Sequence, residues 1–238
     1  MEGLYLKAKL IGGYELAPGV GHFDFEADGV KELAFKPGQF VSVKEEVDGK
    51  EIIRAYSIAS PRGGNRFSLC LNCVEEGLVS PRLFTLKPGD VIEIGEPLGY
   101  FTLRNPARRA VLVATGTGIA PFRSMLHDQL PEWESPVTLL FGVRHEGGLL
   151  YRSEFEELAR KYPSFRFLPT LTRPTPSWTG RSGRVQLHLD EALLLESDDG
   201  RANTDVYICG LKAMVDEVRA ELKRRGLDRK QIIYEKYD

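Results

Sequence analysis

Near residue 105 the sequence changes its rhythm, and one layer type cannot serve both halves. Before that point run six short segments rich in β-formers: "LYLKAKLIGG", "HFDFEAD", "QFVSVKEEV", "IIRAYSIAS", "RFSLCLNCV" and "DVIEIGE". Glycine and proline separate them, as in "KPGQF" (36–40) and "KPGDV" (87–91). Short strands divided by turn signals predict a six-stranded antiparallel β-barrel over residues 1–104. The Asp48-Gly49 pair supplies a tight hairpin turn. After "NPARR" (105–109) strands alternate with helices: "AVLVATG", "APFRSMLHDQL", "VTLLFGV", "SEFEELARKY", "FRFLPTL", "RVQLHLDEALL", "DVYICG", "LKAMVDEVRAELKRRG" and "QIIYEKY". Ser153 and Glu156 fit a capping box. This alternation predicts a doubly wound α/β domain on a parallel sheet over 105–238.

Totals remove several function classes. At 238 residues there is room for two ordinary domains. A formal net charge of −2 gives no electrostatic case for nucleic acid or an anionic membrane. The longest apolar runs, such as "AVLVA" (110–114), are far too short to span a bilayer. "MEGLYLKAKL" places charges where a signal peptide needs an apolar core, so a cytoplasmic location is expected. Three cysteines are one short of an iron–sulfur or structural zinc set. Cys70 and Cys73 form C-x-x-C, but on a strand residues three apart point to opposite faces, so no redox or metal pair is expected. The histidines (His22, His127, His145, His188) lack metal-ligand spacing, and no metal is expected.

Four short stretches have room for chemistry. In "RAYSIAS" (54–60), period-2 alternation puts Arg54, Tyr56, Ile58 and Ser60 on one face and Ala55, Ser57 and Ala59 on a small-residue face. That second face suits either close packing or a flat ligand. "ATGTGIAPF" (114–122) is neither a P-loop nor G-x-G-x-x-G, because Pro121 replaces the third glycine. It sits where a strand ends and a helix begins, the place where open α/β sheets bind ligands, and Gly116 and Gly118 admit a pyrophosphate there. "YICG" (207–210) is a second such strand end, where Cys209 either packs or faces that ligand. In "EEGLVSPRLF" (75–84), Ser80 is an N-cap or a phosphate ligand, with Pro81 at a first helical position.

Together these residues resemble the ferredoxin–NADP⁺ reductase superfamily, over nearly the whole chain. Its Arg-x-Tyr-Ser signature is matched by Arg54, Tyr56 and Ser57, with Ala55 at the variable position. Its Gly-x-x-Ser turn is matched by Gly77, Leu78, Val79 and Ser80, its glycine turn by "GTGIAPFRS" (116–124), and its Cys-Gly element by Cys209 and Gly210. The family's glutamate two residues before a terminal aromatic is matched by Glu235 and Tyr237, with Asp238 as an extra residue. The resemblance implies an FAD-binding barrel joined to a pyridine-nucleotide domain. It implies that Arg54 pairs with the FAD pyrophosphate, Tyr56 lies on the isoalloxazine, and Ser57 hydrogen-bonds near its N5. Backbone amides from Leu78 to Ser80 complete the phosphate cradle. Gly116, Thr117, Gly118, Pro121, Cys209 and Gly210 form the nicotinamide nucleotide site. Tyr237 covers the second flavin face, and Glu235 relays a proton.

For the choice between NADPH and NADH, the resemblance implies the end of "FLPTLTR" and the segment that follows, where "TRPTPSWTGRSGRV" (172–185) offers Arg173, Arg181 and Arg184 for a 2′-phosphate, against Glu146 as a claimant for ribose hydroxyls. The balance leans to NADPH. The chain has neither the cysteines nor the length for a fused [2Fe–2S] domain, so a separate carrier is implied, a ferredoxin above all. The plant-type insertion after Val74 is absent, which leaves FMN as a lesser option beside FAD. Two other readings stand beside this one: an NADH-dependent reductase component of a multi-protein oxygenase, and a non-catalytic flavin-holding subunit.

Overall fold

The computed structural model describes residues 5–105, 108–193 and 202–237. The chain divides into two compact units. One runs to Thr102 and takes in Ala120–Asp128; the other comprises Leu103–Ile119 and the chain from Gln129 onward.

The first unit is a six-stranded antiparallel sheet. Its strands are β1 (Tyr5–Ala17), β2 (Val20–Ala27), β3 (Phe40–Val47), β4 (Lys50–Ser57), β5 (Arg66–Asn72) and β6 (Val91–Gly95). They lie in the order β4-β3-β6-β1-β2-β5. The β3–β4 hairpin pairs Val47 with Lys50 across Asp48 and Gly49, whose φ angles are 52° and 73°. Two consecutive left-handed residues are the signature of the type I′ turn that Asp-Gly favours. Alternation along β2 sends Phe23, Phe25 and Ala27 into the core with Val41, Val43, Phe67, Leu69 and Ile94.

The opposite face of β2 carries His22 and Asp24. The Asp24 carboxylate lies 3.1 Å from the His22 ring and 2.6 Å from the Ser68 hydroxyl that donates to it. The His22 hydrogen bond, then that of Ser68, holds the Asp24 carboxyl below its ordinary 3.8 against the opposing effect of burial. A depressed carboxylate stabilises the fold above its unfolded pKa, and that contribution is lost as pH falls through the folded value. Asp24→Asn should therefore lower the urea midpoint at neutral pH, and the gap from wild type should close as pH drops below 3.8. Urea titrations at several pH values check this; a gap that persists in acid would remove the carboxylate from the account.

The second unit is a sheet in the order β10-β9-β8-β7-β11-β12, every pair parallel. Its strands are β7 (Arg109–Thr115), β8 (Val137–Val143), β9 (Phe165–Leu171), β10 (Arg181–Ser182), β11 (Thr204–Leu211) and β12 (Ile232–Tyr237). The α-helices among the described residues are α1 (Ser80–Thr85), α2 (Ala120–Gln129), α3 (Arg152–Lys161), α4 (Leu189–Leu193) and α5 (Lys212–Arg224). One face of the sheet packs Val111, Val113, Val206 and Ile208 against Val215, Val218 and Leu222 of α5, the helical spacing expected of an amphipathic stripe.

The expected capping box at Ser153 is not formed. α3 begins one residue earlier, and Tyr151 is its N-cap with φ 55° and no side-chain cap bond. Glu156 instead pairs with Arg152 at 2.7 Å. Among the described residues no helix is long and apolar enough to cross a membrane.

Candidate functional site

In the first unit, β4 is the outermost strand, and it ends at Ser57. The alternation expected through Ser60 therefore stops early. Ile58 and Ala59 are both fully buried, and Ile58 bridges to Leu69 of β5. Across β3, Arg54 lies opposite Val43, Tyr56 opposite Val41, and Ser57 opposite Phe40. Arg54 and Tyr56 thus share a face, while Ser57 takes the last strand position, where the backbone turns away.

Their environments differ. Arg54 and Ala55 are exposed, and the Arg54 guanidinium donates to the Ile53 carbonyl at 2.9 Å. Tyr56 rests partly on the barrel core, and burial pushes its hydroxyl up to about 12. Ser57 is 6% exposed. An arginine without an acidic partner among the described residues, beside a sheltered hydroxyl, fits a phosphate-bearing ligand with a flat ring.

The loop before α1 is tied to itself. Gly77 donates its N–H to the Val74 carbonyl at 2.7 Å, and the Ser80 hydroxyl accepts the Val74 N–H at 3.0 Å. Ser80 is the first helical residue and Val79 the N-cap, so the N-cap option for Ser80 is corrected. Val79 is buried in the barrel core and Leu78 is half-exposed.

In the second unit the register brings the remaining residues together. Ala114 lies beside Cys209, Cys209 beside Glu235, and Leu211 beside Tyr237. Beyond β7 the chain makes a 3₁₀ turn over Gly116–Ile119. Gly116 has φ 54°, and a Cβ there would meet nothing within 4 Å. Gly118 is different: its Cβ would stand 2.4 Å from the Cys209 carbonyl oxygen and 2.8 Å from the Gly210 nitrogen. The turn after β7 thus lies directly on the end of β11. Gly118 serves close packing of two strand ends, and Gly116 leaves open space beside it.

Thr117 is 7% exposed and Cys209 is fully buried. Burial pushes the Cys209 thiol well above its ordinary value, Glu235 raises it further, and a hydrogen bond with Tyr237 pulls the other way. The thiol is consequently neutral at physiological pH, a polarisable wall rather than a nucleophile. Thr115 went unnoticed in the sequence, yet its Oγ1 is buried without a hydrogen-bond partner. A Cβ on Gly210 would stand 2.5 Å from that oxygen. An orphaned hydroxyl at the carboxyl end of a strand fits a polar ligand there.

The three arginines after β9 separate. Arg181 is held by both Glu191 oxygens, at 2.6 Å through Nε and closer through Nη2. That pairing takes it out of the set expected to meet a phosphate. Arg184 pairs with Glu217 at 3.2 Å, both exposed. Arg173 is exposed and makes no ion pair among the described residues; its N–H donates to the Arg144 carbonyl at 2.8 Å. Arg144, which directly follows β8, is also exposed and without an ion pair among the described residues. The strand-end rule applied to "VTLLFGVR" finds it. Glu146 is claimed by Arg152.

Two family models match the chain. A family described as an oxidoreductase FAD-binding domain matches residues 7–103, and one described as an oxidoreductase NAD-binding domain matches 112–220. The chain is 41% identical over 239 residues to ferredoxin–NADP reductase B of Sorangium cellulosum, covering 98% of this chain and 97% of that protein. It is 31% identical to the toluate 1,2-dioxygenase electron transfer component of Pseudomonas putida, covering 87% of this chain and 60% of that one. Among solved structures, an Amycolatopsis cytochrome P450 reductase is similar at TM-score 0.86 and 27% identity, over 98% of this chain and 69% of the other. A Neisseria gonorrhoeae ferredoxin NADP⁺ reductase shares the fold at TM-score 0.85 and 24% identity, over 99% of both chains. The chain belongs to the ferredoxin–NADP⁺ reductase superfamily and is an FAD-dependent NAD(P)H oxidoreductase.

Proposed function

We propose that this enzyme moves electrons between NADPH and a ferredoxin-type one-electron carrier. The observation that supports it most is the end-to-end likeness to a ferredoxin–NADP reductase at 41% identity. When bound, FAD supplies a carrier that exchanges hydride with nicotinamide and passes electrons on singly. The chain's own residues do the rest. Arg54 holds a pyrophosphate with its guanidinium fork, helped by backbone amides of Leu78, Val79 and Ser80 in the loop that opens at Gly77. Tyr56 offers a ring face, and Ala55 leaves space on the strand. The Ser57 hydroxyl both donates and accepts, so it follows a neighbouring ring nitrogen whichever protonation state that atom takes.

In the nucleotide-binding unit, Gly116 opens the strand end to a pyrophosphate, Thr117 and the Thr115 hydroxyl supply polar contacts, and Pro121 lies in the first turn of the helix that follows. Cys209, neutral and dry, walls the nicotinamide. Gly210 keeps β11 narrow. Tyr237 bonds to that thiol, and Glu235 is the carboxylate placed to hand on a proton. Orientation is the protein's contribution, bringing donor and acceptor atoms to about 3–3.5 Å.

NADPH is preferred over NADH on the strength of Arg144 and Arg173. A 2′-phosphate meets two arginines without acidic partners among the described residues, whereas Glu146, close to Arg144 in sequence, is engaged by Arg152. Anaerobic mixing of the yellow protein should give flavin bleaching with NADPH at lower concentration than with NADH. Arg144→Ala with Arg173→Ala should cost about 10–100-fold in NADPH affinity and leave NADH affinity nearly unchanged. Bleaching by neither nucleotide would overturn the reductase reading. Equal response to both would favour the NADH-dependent oxygenase component, the reading supported by the toluate dioxygenase relative. The three cysteines are free thiols, which suits a reducing, cytoplasmic setting.

A further inference from the structure

Ser57 closes an outermost strand, so within the sheet it is supported from one flank, by β3. What fixes that strand end is the short segment behind it. The Ile58 N–H donates to the Gln39 carbonyl at 2.9 Å, and the Ala59 N–H to the Ser68 carbonyl at 2.8 Å. The Ser60 hydroxyl accepts the Ser68 N–H at 3.0 Å. These ties come from the sheet itself, from the residue before β3 and from β5. The Ala59 carbonyl is held by a different element. Nη1 of Arg123, on α2, donates to it at 2.8 Å.

Arg123 is half-buried, and α2 belongs to the same compact unit as the antiparallel sheet. Its charge also acts on the Asp24 carboxylate, which the His22 hydrogen bond and then that of Ser68 already hold low. Further along α2, Asp128 accepts from Arg62 through Nε at 3.0 Å and Nη2 at 2.9 Å. The helix therefore grips residues 59–62 at both ends. The two grips differ in shelter. The Arg62 pair is exposed, whereas Ile58 and Ala59 are both 0% exposed. Water does not readily replace a lost donor at such a depth, so a carbonyl deprived of it draws the backbone toward another partner. Ser57 stands on that backbone, two residues away.

We infer that Arg123 is a positioning residue for the electron-transfer reaction: by holding the Ala59 carbonyl, it sets where the Ser57 hydroxyl stands. This rests on the reading that Ser57 meets the ring nitrogen at which hydride is exchanged. In this role Arg123 binds no nucleotide, so it governs the rate of hydride transfer and not nucleotide affinity. Misplacing a group by about 1 Å at a reacting centre costs about 100-fold in rate, and a smaller shift transmitted through two residues should cost about tenfold.

The test is a double-mutant cycle on the FAD-loaded protein, read as anaerobic flavin bleaching by NADPH in a stopped-flow instrument. Arg123→Met keeps the aliphatic stem and removes the donor. It should slow bleaching at saturating NADPH about tenfold and leave the half-saturating concentration within about twofold. Ser57→Ala should also slow bleaching, and adding Arg123→Met to it should cost less than about twofold more, because nothing remains to be positioned. Arg123→Lys keeps one donor and the charge, and takes the place of Arg123→Met in the cycle if that variant does not retain FAD. Its expected cost is about threefold alone and none in the Ser57→Ala background. A full repeat of the Arg123 effect in the Ser57→Ala protein would overturn the inference, as would a wild-type rate in Arg123→Met or a loss confined to NADPH affinity. Wild-type bleaching in Ser57→Ala alone would instead overturn the reading of Ser57 on which the inference stands.

Discussion

Gly118→Val should cost about 3 kcal/mol or more of stability and abolish reduction by NADPH. The Cβ would lie 2.4 Å from the Cys209 oxygen, 2.6 Å from its carbonyl carbon and 2.8 Å from the Gly210 nitrogen. All three are backbone atoms, so no rotamer change relieves the overlap. Nor can β11 move aside, because it is hydrogen-bonded to β7 on one flank and β12 on the other. The expected fall in Tm is roughly 6–12 °C for a chain of this size. Gly116→Ala is the matched control. It has free space and only a left-handed backbone to object, so it should cost about 1–2 kcal/mol. Thermal melts of both variants, with anaerobic bleaching assays, check this. A Gly118→Val protein that melts with the wild type would show that the two turns do not press on one another.

Arg54→Ala should leave the stability of the cofactor-free protein within about 0.5 kcal/mol, since the side chain is exposed and bonds only a neighbouring carbonyl. Its retention of FAD should nevertheless weaken by about 10–100-fold, the worth of one or two charge-assisted hydrogen bonds to a pyrophosphate. Arg54→Lys should fall between, because a point charge keeps the attraction and loses the fork. The readout is fluorescence of FAD released on dilution. Retention equal to the wild type would remove Arg54 from the proposed cradle.

Much of this was legible from periodicity and turn chemistry. Period 2 in "HFDFEAD" and the 3.6 period of Met214, Val215, Val218 and Leu222 are local consequences of which face is buried, whereas Leu211, expected on the same stripe, ends β11 and is exposed. Asp48-Gly49 specified its turn through backbone conformation alone. What stayed hidden depends on partners distant in sequence. The Ser153–Glu156 capping box lost to a left-handed Tyr151 and to Arg152 as a competing partner for Glu156. The fate of Arg181 was decided by Glu191, an acid on another element. The packing of Ala120–Asp128 with the antiparallel unit, where Arg62 pairs with Asp128 at 2.9 Å, likewise spans a separation that no local pattern encodes.

The outermost position of β4 has a consequence for handling the protein. A terminal strand in a sheet presents a row of unsatisfied backbone groups, which invites pairing with another chain. Near its hairpin β4 carries Lys50 and Glu51, charges of the kind that discourage such association. Toward Ser57 the strand carries the exposed Ala55, with Arg54 as its remaining charge. That bare stretch is where the cofactor is proposed to lie. The ligand that carries the chemistry would then also cover part of one edge of the sheet, tying solubility to cofactor supply.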